Sequence, residues 1–339
     1  MKPNGGLRRL VLSAIQDVEE DSMGTIVPRV VIALFLGVVA SFPAAAQTVE
    51  RAAEVPALTE GPTVDRDGNV YFTELRTQRI FKLGTDGELS VYRERSHAAN
   101  GLVIDPQGRL IACEGAADGQ PPRITRTDLR TGAIEVLADS YQGMPFRGAN
   151  DVTIDNRGRL YFTDPAGSAV YRIDGPGQIA RVLTTPDIER PNGLQISPDD
   201  RTLYIIESGP VPDGPRMIRA FDLQPDGTAR NGRVLFDFPG RSADGMSVDV
   251  QGNLYVSAGL NELAPPGAVA AARAWTADAL KTRAGVYVIS PAGTLLKLIP
   301  IPEDVITNNA FGGPDMKTLY VTAGRTVFKV RTDIAGLPR

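Results

Sequence analysis

The chain has 339 residues, among them 35 Gly, 26 Pro, one Cys and one His, and carries a net charge of −4. That balance gives no basic patch for nucleic acid, and a single thiol permits no internal disulfide. The lone imidazole, His97, excludes a zinc site built on paired histidines, so any chemistry must run on carboxylates, amides, hydroxyls, Lys or Arg.

The first 46 residues stand apart from the rest of the chain. Arg29 precedes an apolar run over 30–42, and Ala44-Ala45-Ala46 ahead of Gln47 has the small-residue form of a signal-peptidase site. The run is shorter than the roughly 20 apolar residues of a spanning helix. We read an export signal starting at Met23 and cleaved after Ala46, preceded by an acidic stretch with Asp17, Glu19, Glu20 and Asp21. That reading implies a periplasmic or secreted protein with no stable membrane partner; an uncleaved anchor is its rival.

From Glu60 onward one unit recurs six times: a polar opener, a short apolar run, turn residues, and a second β-prone run. The openers and second runs are Glu60 with Val70-Tyr71-Phe72, Asn100 with Leu110-Ile111, Asn150 with Leu160-Tyr161-Phe162, Asn192 with Leu203-Tyr204, Asp244 with Leu254-Tyr255, and Asn308 with Leu319-Tyr320. Successive openers lie 40, 50, 42, 52 and 64 positions apart, the period of four-stranded propeller blades. Third strands are predicted at 79–83, 170–173, 218–221, 285–289 and 327–330. The predicted fold is all-β, a six-bladed β-propeller occupying 47–339 as one domain. The longest interval holds an insertion over 259–284, with a short helix predicted for 268–281 from its Ala-rich composition. Lid and decoration are both open readings of it.

Glu60, Asn100, Asn150 and Asp244 each stand ten residues before the second run; Asn192 and Asn308 stand eleven before it, after a turn one residue longer. Equivalent points in a propeller lie at one height around its axis, so the six side chains should converge on one mouth of the central channel. Two carboxylates among amide oxygens form a hard donor set for one divalent cation. Ca²⁺ suits a ring rich in protein oxygens, whereas Mg²⁺ prefers to keep its waters; Mn²⁺ and Zn²⁺ are further alternatives.

Glu60-Gly61-Pro62, Asn150-Asp151, Pro191-Asn192-Gly193-Leu194 and Asp244-Gly245-Met246-Ser247-Val248-Asp249 are similar to the signature motifs of the senescence marker protein/gluconolactonase (SMP-30/gluconolactonase/LRE-like) family of six-bladed propellers. The resemblance covers residues 55–331. It implies Glu60, Asn192 and Asp244 as metal ligands, with Asn150 a fourth ligand or a substrate contact. Bacterial members also resemble the chain at Gly108-Arg109-Leu110-Ile111-Ala112-Cys113-Glu114 and Arg123-Ile124-Thr125-Arg126. The expected substrate contacts are Asn100, Asn150, Glu114, Arg123 and Asn308, although Glu114 also reads as a turn residue and Arg123 as a solvated one. His97 reads as a loop residue and Cys113 as a small packed hydrophobe. One departure is visible: the vertebrate branch places a substrate-binding Arg where this chain has Gly148, and Arg147 at strand spacing faces the other way.

The implied activity is metal-dependent hydrolysis of a sugar-acid lactone by a monomer acting on a small molecule. Asp244 is the expected general base and Glu60 the second candidate. A phosphotriesterase resembling diisopropyl fluorophosphatase, and a non-catalytic ligand-binding propeller with a structural metal, are the rivals.

Overall fold

The computed structural model describes residues 47–209, 214–263 and 276–338, and the backbone of two strands nearer the amino terminus. Those two, Ser13–Asp17 and Arg29–Ala33, pair antiparallel within a separate compact unit, Met1–Ala46. The expected cleavage site and most of the apolar run lie outside the described residues. Among the described residues no helix is long and apolar enough to cross a membrane.

The second unit, Gln47–Arg339, carries six antiparallel four-stranded sheets. We call them blades I to VI. Their inner strands are Thr59–Val64, Ala99–Ile104, Val152–Ile154, Pro191–Ile196, Ala243–Val248 and Ile306–Gly312, and each blade runs outward as a meander. The second strands Val70–Glu74, Leu110–Glu114, Leu160–Asp164 and Leu254–Ala258 are buried at every residue. Sandwiched between neighbouring blades, they read as continuous apolar runs. Outer strands such as Leu295–Pro300 are largely exposed. The core therefore lies between blades: Ile111, Cys113 and Ile124 of blade II pack with Val152, Ile154 and Phe162 of blade III, which places Cys113 as expected.

The hairpin between inner and second strands repeats one device. Asp65, Asp105, Asp155 and Asp249 each accept two backbone N–H groups through Oδ1, from the residues two and four ahead. The residue four ahead also donates its side chain to Oδ2: Asn69, Arg109, Arg159 or Asn253. These carboxylates stand in for missing backbone acceptors and fix the turn.

Closure joins distant parts of the unit. Blade VI takes three strands from Ile306–Gly312, Thr318–Ala323 and Thr326–Arg331, and its fourth is Val49–Glu54, which pairs with Thr326–Arg331 from Thr326↔Glu54 to Val330↔Val49. The first strand of the unit thus completes its last blade and closes the ring.

The insertion after Leu254–Ala258 leaves from the mouth where the openers stand, because Ala258 pairs with Ala243, the neighbour of Asp244. Where the sequence predicts a helix over 268–281, residues 264–275, including Trp275, lie outside the described residues, and the remainder of that stretch forms a single 3-10 turn, Ala279–Lys281. The turn stops because Thr282 is drawn into an extended conformation. Its hydroxyl donates to Arg241 O at 2.7 Å and accepts Gly240 N–H at 3.0 Å.

Candidate metal and active site

Each inner strand reaches the channel through an irregularity in its pairing. In blades I, II, IV and V the register slips at the opener or just beside it, so two inner residues face one on the second strand. Asn100 and Gly101 together oppose Cys113, and Asp244 and Gly245 oppose Ser257. Blade III achieves the same with Asn150 and Asp151 against Thr163. Such bulges re-aim side chains, here toward the axis.

Glycine follows the opener in four copies because the next inner strand passes at close range. A Cβ on Gly61, whose φ is +43°, would lie 2.0 Å from Asn100 O. One on Gly245 would lie 2.0 Å from the Asn308 amide carbon. In the third copy Asp151 occupies this place and sends a third carboxylate into the channel.

Hydrogen bonds connect the openers to one another and to Asp151 across blades. Asn192 Nδ2 donates to Asp244 Oδ1 at 2.7 Å, and Asn308 Nδ2 donates to Asp151 Oδ2 at 3.1 Å. Glu60 is pushed well above the ordinary carboxylate range, first by burial and then by the charge of Asp244; the Gly61 N–H opposes this and Asp151 adds to it. Burial also raises Asp244, against Arg241 and Asn192. Asp151 is raised to about 7 by burial, against bonds from Val152 and Asn308. Beyond Asp151 and Asn308 the channel continues as a cavity of about 220 Å³, lined by Thr153, Gln195, Ser247, Asn309, Leu337 and Pro338.

Negative charge concentrated in this way calls for a counter-ion. Among the described residues no three Asp, Glu, His or Cys side chains are gathered to hold a metal by themselves, so amide oxygens must complete any such set. Glu60 and Asp244 with Asn150 and Asn192 fit a hard divalent cation, provided the Asn192 amide turns its oxygen inward.

Other predicted site residues behave differently. Glu114 is fully buried and pairs with Arg93 at 2.7 Å and Arg123 at 2.6 Å, while Thr125 donates to it at 2.7 Å. Equivalent strand ends in blades I, III and IV carry Glu74, Asp164 and Glu207, also buried, and these accept backbone N–H groups of adjoining loops. Glu114 and Arg123, expected against substrate, therefore satisfy each other and tie the blade end together. Asn308 is likewise committed at both ends, since its Oδ1 accepts Asn309 N–H at 2.8 Å. Asn100 and Asn150 remain part-exposed at the mouth. Arg147 is exposed, Gly148 keeps no side chain there, and His97 lies in a bend with φ +53°.

Two residues escaped the sequence reading. Asp151 was visible as the break in a Gly pattern. Arg241, three residues ahead of Asp244, had no repeat to flag it, yet its charge acts on both Glu60 and Asp244.

Comparison with known proteins agrees with this geometry. The SMP-30/Gluconolactonase/LRE-like region matches residues 58–325. The gluconolactonase of Zymomonas mobilis is 27% identical over 316 residues, covering 82% of this chain and 79% of its own. The pentonolactonase XacC of Haloferax volcanii is 27% identical over 275 residues, covering 78% and 81%. The solved gluconolactonase of Xanthomonas campestris superposes with a TM-score of 0.69 at 25% identity, over 84% of this chain and 89% of its own. A propeller of six blades whose openers carry the motif residues, matched by the family's pattern along most of its length, belongs to the SMP-30/gluconolactonase/LRE-like family.

Proposed function

We propose that this propeller is a lactonase-type ester hydrolase that opens the lactone of a sugar acid, with its reaction centre at the mouth ringed by Glu60, Asn150, Asn192 and Asp244. The observation that carries the reading is the convergence of the buried Glu60 carboxylate, the part-buried Asp244 carboxylate and several amides, each from a different blade, in a chain of a family that includes gluconolactonases. These four residues would hold a divalent cation, with Ca²⁺ the first choice for an all-oxygen set. When bound, the cation supplies Lewis-acid polarisation of the lactone carbonyl.

The chain's own groups divide the remaining work. Asp244 accepts a proton from the attacking water. Asn100, part-exposed beside the ring, is available to sugar hydroxyls. The test is proton release from a panel of five- and six-membered aldonolactones and one phosphotriester, with and without chelator. Lactone turnover that chelator abolishes and calcium restores is the expected result. Turnover indifferent to chelator, or stripped protein that binds no divalent cation by calorimetry, would overturn the reading.

Export completes the proposal. The Ala44-Ala45-Ala46 site and the apolar run before it support a periplasmic or secreted enzyme. Mass spectrometry of the mature protein should find Gln47 at its amino terminus; an intact amino terminus in the membrane fraction would count against it.

A further inference from the structure

Arg241 sits where blade V begins, and its backbone is held from both sides. Its N–H points to Ala279 O at 3.4 Å, its carbonyl accepts from the buried Thr282, and Gly240 has no room for a side chain, since a Cβ there would lie 2.3 Å from Asp278 O. The side chain is thus launched from a fixed point, and the segment fixing it is the return of the insertion.

Several part-buried arginines of the propeller spend their charge on a carboxylate, whereas Arg219 donates to the backbone carbonyl of Asp187. Arg93 and Arg123 engage Glu114, and Arg159 engages Asp155 at 2.6 Å. Arg241 forms no ion pair among the described residues, although two carboxylates lie within reach of its charge, and its Nη1 is buried without a hydrogen-bond partner. A donor withheld in this way from water and protein carries the cost of an unmade bond. A ligand that fills it recovers that cost.

We propose that Arg241 is the substrate-anchoring residue of this site, gripping the ester group of the lactone and, more strongly, the carboxylate of the opened hydroxy acid. The assignment rests on the lactonase reading and deepens it. In the reaction the water oxygen bonds to the acyl carbon, the bond from that carbon to the ring oxygen breaks, the ring oxygen leaves as an alcohol with a proton, and the new acid ionises. Negative charge is therefore created at the acyl oxygens. A guanidinium presents paired N–H donors that match a carboxylate, whereas Lys offers only a point charge.

The experiment compares wild type, R241Q and R241K. Calorimetry measures calcium binding, then gluconate binding to the calcium-loaded protein, and kinetics give KM and kcat for gluconolactone. In R241Q, gluconate affinity should fall at least tenfold and KM rise in step, while calcium binds as tightly or more tightly because a neighbouring positive charge is gone. R241K should recover part of the loss. R241Q binding gluconate like wild type, with only calcium affinity or thermal stability altered, overturns the assignment alone. A wild type that binds calcium but neither binds gluconate nor opens lactones overturns the lactonase reading and takes this assignment with it.

Discussion

Glu60, Asp151 and Asp244 act on one another electrostatically along the channel, and burial raises all of them. In chelated protein the folded state therefore holds protons more tightly than the unfolded chain does. For Asp151, the folded value is about 7 against an ordinary 3.8. Stability is fully present below the lower value and is lost as pH rises through the upper one. Thermal melts of chelated protein should fall between pH 5 and pH 8. Calcium should raise the midpoint strongly at pH 8 and little at pH 5, where protons compete for the same oxygens. A flat profile would mean these acids are not gathered as described. Within the ring, Asp244→Asn and Asn192→Ala separate holding from chemistry. Both should weaken calcium binding, but saturating calcium should restore Asn192→Ala substantially and leave Asp244→Asn impaired by about 10²–10⁴ in kcat, the usual contribution of a general base. Equal rescue of both in a calcium titration of turnover would make Asp244 a ligand only.

At the level of strands and turns, the repeated carboxylate clamp makes a sharper demand than the sequence suggests. Asp249 is fully buried and accepts three N–H donors, two from the backbone and one from Asn253. Bonds to charged groups contribute about 1.5–3 kcal/mol each, and stranded buried donors cost more. Asp249→Ala should therefore cost about 3 kcal/mol in urea denaturation; a loss below about 1 kcal/mol would show that water replaces the carboxylate. These turns were legible because Asp and Gly sit at fixed offsets from β-prone runs, and so were the openers. Glu114 stays open in the sequence because a buried acid at a strand end looks the same there whether it faces a loop or a ligand; the structure pairs it with Arg93 and Arg123. Asp151 does not show in the pattern of openers because its place is one residue further along each copy, where four others have Gly. The helix over 268–281 failed at its carboxyl end, where Thr282 is claimed by the backbone of Gly240 and Arg241.

The molecule as a whole depends on the pairing of Val49–Glu54 with Thr326–Arg331. Beside that seam Thr59 N–H donates to Gly324 O at 2.8 Å, and Thr307 donates to Thr59 O at 2.9 Å, so the join sits next to Glu60 and Asn308. A chain lacking residues 47–55 should expose the edge of Thr326–Arg331, bind calcium at least tenfold more weakly by calorimetry, and associate in light scattering. Undiminished affinity in a monodisperse sample would show that five complete blades and three strands suffice. The same join sets an order in time. A ribosome delivers Val49–Glu54 before any blade exists and its partner only when nearly all the others have been made, so the earliest strand must wait for almost the latest. Glu60 and Asn308 stand on opposite sides of that wait. A chain released before Asn308 is made contains only an arc of the oxygen ring, and one released before Thr326–Arg331 is made holds every opener but cannot close the ring around them.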